Sequence, residues 1–306
     1  MTIDKLSAAQ LPQNVAKRLD DATLLGSTGL AVLWRTLGGR EVFWCASTGD
    51  KINAVLTSVE FGKKPVKRLQ AMPDGLYARP VFWDDNIDAA TAAAFLAAIA
   101  NSGYAKVIVN DYYDMFGGAT GYTANEEETT VVDISNPEWQ PPDPKIQSEI
   151  RKAEREGVTA TPFDGERDMT AFLDLMQRTE GRHGRDPKYP AAFWQGLAEL
   201  ARTDQRIRWV NVAHEGRLAA SHVYFVEGDM LLHWQSYFDK EFSFLKPNQY
   251  LMFTMARQAA AQEVTTLNQG ASPPEAEGLV DYKLKWGGQE RRYRCRQHRA
   301  GLGRWM

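Results

Sequence analysis

Apolar residues recur along this chain at two different spacings, and the spacing predicts which segments are helices and which are strands. In the first half, Leu11–Leu24 and Asp88–Ala100 have apolar residues on one side of a helix, and Gly103 follows the second segment as a stop. Alternating or short apolar runs predict strands, with a turn at Gly38-Gly39 between the first two. The strand segments are Leu30–Trp34, Val42–Cys45, Ile52–Val59, Val66–Met72, Val107–Val109 and Thr129–Ile134.

The segment Asn136–Pro144 carries four prolines and separates this first half from the rest of the chain. Proline lacks the amide donor of a helix or strand and restricts the residue before it, so the segment predicts a connector. We therefore expect an N-terminal half over residues 1–136, a connector over 137–144 and a C-terminal half over 145–306.

The second half repeats the same order of elements: helix, strands, helix, strand and strand. Its helices are predicted for Lys145–Glu156, for the stripe Met169, Phe172, Leu173 and Met176, for the segment around Phe193 and Leu197, and for a stretch that begins at Pro247. Its strands are predicted for Ile207–Ala213, Leu218–Val226, Met230–Phe238, Thr265–Leu267 and Arg291–Arg296.

Composition excludes several classes of protein. Apolar residues make up 43% and charged residues 25%, as in ordinary globular domains. The net charge of −3 lacks the basic surplus of a dedicated nucleic-acid binder. The two cysteines, Cys45 and Cys295, form no zinc-type cluster, so no metal is expected. The longest apolar stretch, Ala89–Ala100, is too short to span a membrane, and Met1–Gln10 lacks a signal-peptide core, so we expect a cytoplasmic protein.

Six short motifs of the second half resemble, in order, those of the FemAB-like, GNAT-related acyltransferases. This bacterial group includes the aminoacyltransferases that form peptidoglycan bridges. The closest match is Tyr282–Gly287, which is similar to an F-K-x-x-W/F-G motif of the family. The others are Ile150–Val158, Arg182–Gly184, Val212–Ala220, Lys246–Asn248 with Leu251, and Asn268–Ser272.

The resemblance implies an α/β fold of two GNAT-like halves, each a mixed, mostly antiparallel sheet flanked by helices. It implies an N-acyltransferase that moves an acyl or aminoacyl group from an activated donor, such as acyl-CoA or aminoacyl-tRNA, onto an amine of a small molecule or peptide. Two departures stand out. Asn268 replaces an acidic residue, and Phe242–Asn248 lacks the glycines of a pyrophosphate-binding loop. The second departure disfavours acyl-CoA as the donor.

Lys283 is the first catalytic candidate, because its ammonium can balance charge that develops on a carbonyl oxygen. Its neighbours Tyr282 and Trp286 are candidates for binding the substrate. Arg182 suits an anionic group, and His183 suits proton transfer near neutral pH. In the simpler alternatives, Lys283 is a solvated surface lysine, and Arg182 and His183 are polar residues at the end of a helix.

Further candidates lie on strands and at a helix start. Strand alternation predicts Trp234 and Ser236 on one face and His233, Gln235 and Tyr237 on the other, with His233 as a second catalytic candidate. The other candidates are Asn268 and Gln269 for substrate, Lys246 and Asn248 for the donor, and the stripe Arg292, Arg294 and Arg296 for phosphates. The alternatives are that His233 is a core histidine, that Asn268 and Gln269 form a turn stabilised by their own side chains, and that the arginines are charges on an exposed edge strand.

Acyl transfer to an amine needs alignment, a polarised carbonyl and a proton acceptor, but no covalent nucleophile. The sequence offers no G-x-S-x-G motif, which agrees with that chemistry. Three other functions remain open: an acetyl-CoA-dependent N-acetyltransferase, a non-catalytic binding protein that keeps the fold, and a nucleic-acid-binding protein.

Overall fold

The computed structural model describes residues 1–63, 65–83, 89–272 and 276–300, which fold into two compact units. The N-terminal unit contains Met1–Glu127 and the chain from Arg292 onward, and the C-terminal unit contains Glu128–Arg291. This grouping differs from the boundary predicted at the proline-rich segment. The reason is strand pairing, since residues 294–299 pair with residues 106–111 of the N-terminal unit.

In the residues that the structure describes, the N-terminal unit is a sheet with three α-helices. Its strands lie in the order β1-β2-β3-β4-β6-β13, and β5 pairs with β3. All pairs are antiparallel except β4 with β6. The elements are β1 (Thr2–Leu6), α1 (Gln13–Ala22), α2 (Thr28–Leu33), β2 (Gly39–Thr48), β3 (Lys51–Phe61), β4 (Arg68–Ala71), β5 (Val81–Phe82), α3 (Ala89–Ala100), β6 (Lys106–Asp111) and the greater part of β13 (Gln289–Arg299).

The described part of the C-terminal unit follows the same plan with five α-helices. Its strands lie in the order β7-β12-β11-β10-β9-β8, and β11 and β12 are its parallel pair. Fold class is confirmed: each unit has a mixed, mostly antiparallel sheet flanked by helices. The elements are the greater part of β7 (Thr123–Asp133), α4 (Pro144–Arg155), β8 (Ala160–Pro162), α5 (Gly165–Arg182), α6 (Ala191–Thr203), β9 (Ile207–His214), β10 (Arg217–Glu227), β11 (Met230–Phe238), α7 (Pro247–Ala260), β12 (Thr266–Asn268) and α8 (Glu277–Leu284).

The strand predicted for Leu30–Trp34 is wrong. The segment forms α2 and then a 3₁₀ turn, Trp34–Leu37. Ser27 caps the helix by accepting a hydrogen bond from the Leu30 amide at 3.2 Å, as serine commonly does at a helix start. The short elements β1, β5, β8 and α8 were not predicted from the sequence, and the predicted helix start at Asp88 lies outside the described residues.

The core of the C-terminal unit positions the site. Apolar side chains of α4 and α7 pack on one face of β9–β12, where Ile150, Leu251, Met255 and Leu231 are buried. Burying each such side chain contributes about 1.5–3 kcal/mol, so this face is fixed by hydrophobic packing. Within the described ranges, no helix is long and apolar enough to cross a membrane.

Candidate functional site

The parallel strands β11 and β12 stay paired over only three positions, from Met230 opposite Thr266 to Leu232 opposite Asn268. Beyond that point β11 continues to Phe238, whereas the chain leaves β12 after Asn268. The carboxyl ends of parallel strands are common binding places, because the loops that follow them can present polar groups. The candidate site lies at this divergence.

A β-bulge in β11 changes which side chains share a face. Val223 of β10 lies opposite Gln235, and the next residue, Tyr224, lies opposite His233, so Trp234 is the extra residue of the bulge. An extra residue shifts the two-residue alternation by one position. His233 therefore does not share a face with Gln235, and the predicted grouping is wrong here.

On one face of β11 the side chains belong to an aromatic core. Trp234 and Tyr237 both pack against Trp194 of α6, with ring centroids 6.0 and 5.9 Å away. Trp234 also packs on Phe225, at 5.0 Å. The Tyr237 hydroxyl donates a hydrogen bond to Gln235 Oε1 at 3.2 Å. These predicted substrate-binding residues thus lie on the side of the sheet that α5 and α6 cover.

On the opposite face, His222 is the centre of a buried hydrogen-bond network. Its Nε2 lies 3.0 Å from Asn248 Oδ1, and its Nδ1 lies 2.9 Å from the Tyr224 hydroxyl. The amide oxygen can only accept, so Nε2 carries the hydrogen and Nδ1 accepts from the tyrosine. Burial lowers the pKa of His222 to about 4, so the imidazole is neutral at pH 7. Ser236, opposite His222, lies on this face too.

His233 stacks beside this network. Its ring lies 4.8 Å from that of His222 and 4.7 Å from that of Tyr224, with interplanar angles of 27° and 22°. Burial lowers the pKa of His233 well below its usual value, and the nearby His222 and Lys283 lower it further. Its Nε2 is buried and has no hydrogen-bond partner among the described residues. His233 is therefore a neutral imidazole at pH 7, and its Nε2 is not engaged by any residue that the structure describes.

Lys283 lies in the last turn of α8 and is only 5% exposed. Its Nζ donates hydrogen bonds to the carbonyl oxygens of Gly270 at 2.7 Å and Ala271 at 3.0 Å. An ammonium has three donors, so one N–H has no acceptor in the described part of the chain. Burial lowers the pKa of Lys283 to about 8, which leaves it mostly protonated at pH 7.

The two glycines after this helix allow close packing around Lys283. A Cβ at Gly288 would lie 2.6 Å from the Lys283 carbonyl oxygen and 2.5 Å from Thr130 Cγ2, so no side chain fits there. Gly287 has a φ of +81°, which only glycine adopts readily. The backbone conformation at position 287 thus explains why the Tyr282–Gly287 motif ends in glycine.

The turn after β12 holds the carbonyls that Lys283 binds. Asn268 Oδ1 accepts hydrogen bonds from Thr129 Oγ1 at 2.7 Å and from the Gly270 amide at 2.8 Å. Gln269 is buried, and its Oε1 has no partner within the described ranges. Asn268 is therefore placed to shape this turn, whereas the Gln269 amide oxygen can still accept a hydrogen bond.

The aromatic neighbours of Lys283 differ in their exposure. Trp286 is fully buried and stacks on Trp139, with centroids 6.2 Å apart, so its ring lies in the core beneath the site. Tyr282 packs against the same core as a partly buried residue. Burial raises the pKa of Tyr282 to about 12, so its hydroxyl keeps its proton at neutral pH.

Arg182, His183 and Lys246 lie apart from the network around His222 and Lys283. Arg182 and His183 are exposed at the end of α5, where the Arg182 guanidinium lies 4.9 Å from the centre of the Phe238 ring. Lys246 forms an ion pair with Glu149 at 3.1 Å. Of the predicted donor-binding pair, Asn248 joins the network through His222.

Sequence reasoning missed His222 and Tyr224, which form the centre of the network. The available signal was a histidine and a tyrosine two positions apart in an otherwise apolar strand, which places both on one face. Buried polar groups of this kind need partners, and His222 has one two residues along β10, in Tyr224, and one in Asn248 of α7.

Residues 144–284 match the sequence profile of the acetyltransferase (GNAT) domain. No curated protein sequence matches the chain. The whole chain resembles several solved structures at low identity, which relates their folds. FemX has a TM-score of 0.72 at 14% identity, with 95% of this chain and 96% of that chain covered. L-PGS from Bacillus licheniformis has a TM-score of 0.62 at 16% identity, with 94% and 92% covered. A tandem GNAT protein from the clavulanic acid biosynthesis pathway has a TM-score of 0.53 at 12% identity, with 98% and 99% covered.

Proposed function

Because residues 144–284 form a GNAT acetyltransferase domain and the chain is an acyltransferase, we propose that it moves an acyl or aminoacyl group from an activated donor directly onto an amine. The amine nitrogen forms the new bond to the acyl carbon, and the bond from that carbon to the donor breaks. The leaving group departs with the electron pair, and the amine loses one proton. No enzyme-bound acyl intermediate is needed.

The observation that carries this proposal is the unused N–H of Lys283. Two of its donors are held by Gly270 and Ala271, so the third is fixed in direction before any substrate binds. A preorganised cation in a water-poor site stabilises charge on a carbonyl oxygen better than a mobile one does. Lys283 donates to the acyl carbonyl oxygen and stabilises it as the amine attacks.

His233 is the proton acceptor in this proposal. Its neutral ring lies near Lys283, and its Nε2 has no other acceptor or donor to serve among the described residues. Tyr224 and His222 stack on the ring and fix its orientation. His183 lies at the exposed end of α5, so it is the weaker candidate for this role.

The start of α7 is the proposed place for the donor. Pro247 has no amide hydrogen, and the helix has no side-chain cap, so the amides of Asn248 and Gln249 are left for a ligand or water. This is a smaller anion site than a glycine-rich loop provides, which favours an aminoacyl-tRNA or another activated acyl group over acyl-CoA. Arg182, Lys246, Gln269 and Tyr282 remain proposed contacts for donor or acceptor.

Ligand-induced thermal stabilisation distinguishes the donors. A ligand that binds only the folded protein raises the melting temperature by mass action. We expect a rise with aminoacyl-tRNA or a nucleotide-linked peptidoglycan precursor. A rise with acetyl-CoA and CoA instead would identify an acetyltransferase and contradict our choice of donor. No rise with any of them would favour a non-catalytic binding protein.

The transfer rate is expected to fall as the pH rises through about 8. Lys283 acts as its protonated form, and its pKa is lowered to about 8 by burial, so the active fraction decreases above that value. The measurement is kcat against pH with an acceptor amine that is already neutral at pH 7, which removes the amine's own titration. A rate that keeps rising past pH 9 would exclude a protonated Lys283 from the reaction.

Asn248→Ala is expected to lower the free energy of unfolding by about 1–3 kcal/mol, because it leaves the buried Nε2–H of His222 without an acceptor. Denaturant unfolding measures the change. Gln249→Ala, one position along the same helix turn, is the control and should stay within about 0.5 kcal/mol of the parent. Equal effects of the two substitutions would contradict the hydrogen bond.

A further inference from the structure

Gln269, the first residue after β12, carries a buried oxygen that no described residue satisfies. The residue is 5% exposed, and its backbone amide donates to the Thr130 carbonyl oxygen at 2.8 Å. Its side-chain Nε2 donates to Met252 Sδ of α7 at 3.3 Å. Its Oε1 is buried and has no hydrogen-bond partner among the residues that the structure describes. A buried amide oxygen without a donor is costly, so a donor from a bound molecule would stabilise it.

The contact with Met252 determines which end of the Gln269 amide is unpaired. A thioether sulfur is a weak acceptor and cannot donate a hydrogen bond. With Nε2 directed at the sulfur, the amide makes one weak bond. The reversed amide would place two acceptors against each other and would bury an unpaired NH₂ group. The unpaired atom is therefore an acceptor, and it requires an N–H or O–H donor.

Gln269 lies on the α7 face of the sheet, on the same side as His233. Leu231 and Leu267 are paired across β11 and β12, and both belong to the core cluster beneath α7. His233 and Gln269 come two positions later on their strands, so both side chains point to this face. A Cβ at Gly270 would lie 3.8 Å from the His233 carbonyl oxygen, so the two segments are still close together where the pairing ends.

The turn after Gln269 links its side chain to Lys283. The Lys283 Nζ donates to the carbonyl oxygens of Gly270 and Ala271, the next two residues of the chain. Burial lowers the pKa of His233 most, and the charge of Lys283 is near enough to lower it further. One region thus contains two unpaired neutral acceptors, on Gln269 and His233, and one unpaired N–H donor, on Lys283.

Two neutral acceptors beside a cation suit an uncharged amine. An ammonium group would be repelled by Lys283, and neither acceptor carries a charge to compensate. An amine with two N–H groups can donate to both acceptors and still direct its lone pair at a carbonyl carbon. Ser236, opposite His222 on the same face, is exposed, so this face of β11 reaches solvent beyond His233.

We propose that Gln269 positions the attacking amine by accepting a hydrogen bond from one of its N–H groups. This role rests on the proposed function. As the nitrogen bonds to the acyl carbon, its other N–H proton passes to His233, and the bond from that carbon to the donor breaks. The leaving group takes the electron pair of that bond. The N–H held by Gln269 stays on the nitrogen and becomes the N–H of the product amide. Two hydrogen bonds to one nitrogen fix the direction of its lone pair.

The number of N–H groups on the amine tests this role in the parent protein. Trifluoroisopropylamine has two, whereas its isomer N-methyltrifluoroethylamine has one, and the fluorine atoms keep both amines largely neutral at pH 7. The donor is the one that stabilises the protein in the thermal measurement. We expect kcat/KM to be at least about ten-fold higher for trifluoroisopropylamine, because the isomer leaves Oε1 unpaired. The isomers have the same size, so equal values would overturn the proposal.

Gln269→Met removes the acceptor and keeps the length of the side chain. We expect kcat/KM for trifluoroethylamine to fall by about ten-fold or more, and that for N-methyltrifluoroethylamine to fall by less than about two-fold. The melting temperature should not decrease, because an unpaired buried oxygen is removed. Gln258→Met, at an exposed position of α7, is the control and should change neither rate. Equal losses for both amines would show a merely structural role and overturn the proposal, as would no loss. If Gln269→Met does not fold, the comparison of isomers in the parent decides.

Calorimetric titration with trifluoroethylamine separates this role from the proposed function. If product forms and the two isomers react alike, acyl transfer stands and the role of Gln269 fails. If no donor yields product, the proposed function fails, and binding alone decides the role of Gln269. In that case the parent should still bind trifluoroethylamine at least about ten-fold more tightly than Gln269→Met does. Equal affinities, or no binding to the parent, would overturn the proposal.

Discussion

Replacing Lys283 by methionine is expected to lower kcat for acyl transfer by about 10²–10³-fold, the usual loss when one preorganised donor to a developing oxyanion is removed. Methionine is close to lysine in length and is apolar, so it fills the buried space that the lysine chain occupies. The Gly270 and Ala271 carbonyls lose their donor, and the folded protein should nevertheless remain. Steady-state kinetics with any donor and amine that the parent accepts measure the change.

Lys285→Met is the matched control for this experiment. Lys285 lies two residues further along the chain and is exposed, so its loss should change kcat by less than about two-fold. Far-ultraviolet circular dichroism and the melting temperature show whether each variant is folded. A folded Lys283→Met protein with full transfer activity would remove Lys283 from the mechanism, and a similar loss in Lys285→Met would point to a nonspecific charge effect.

Trp286→Ala is expected to lower the free energy of unfolding by about 3–5 kcal/mol, the usual cost of a tryptophan-sized cavity in a core. The indole is fully buried, stacks on Trp139 and belongs to the same hydrophobic cluster as Leu251 and Met255. Such a loss is a large fraction of the about 5–15 kcal/mol that stabilises a typical domain, so the variant should unfold at a clearly lower urea concentration than the parent. Urea unfolding followed by circular dichroism gives the difference.

Leu284→Ala provides the comparison for Trp286. Leu284 is 44% exposed on the same segment, so truncating it should cost less than about 1 kcal/mol. If Trp286→Ala were as stable as Leu284→Ala but bound substrate poorly, the indole would be a binding group rather than a core group. The burial of Trp286 predicts the opposite order.

The fold could be predicted largely from the sequence, because long amphipathic helices and the β9–β11 meander have clear periodicity. Short elements could not. Leu30–Trp34 has the alternation of a strand, yet the serine cap at Ser27 and the burial of Leu30, Ala31 and Leu33 favour a helix. The compact units could not be predicted either, since the pairing of residues 294–299 with β6 depends on contacts distant in sequence.

The site was predicted in part. Lys283, His233, Asn248 and Asn268 fall within one region of the C-terminal unit, and their motifs come from widely separated parts of the chain. The two-residue alternation predicted the wrong faces of β11, because the bulge at Trp234 shifts the alternation by one position. A bulge leaves no clear signal in a single sequence. His222 and Tyr224 were missed because a buried polar residue shows its meaning only when its partners are known.

The central claim is direct transfer of an acyl group to an amine at the Lys283 site. The most direct test is mass spectrometry of a reaction that contains the protein, an isotope-labelled acyl or aminoacyl donor and an amine. We predict a labelled amide product from the parent, little from Lys283→Met, and an unmodified protein mass throughout. A labelled acyl group covalently attached to the protein, or equal product from the folded Lys283→Met variant, would contradict the account.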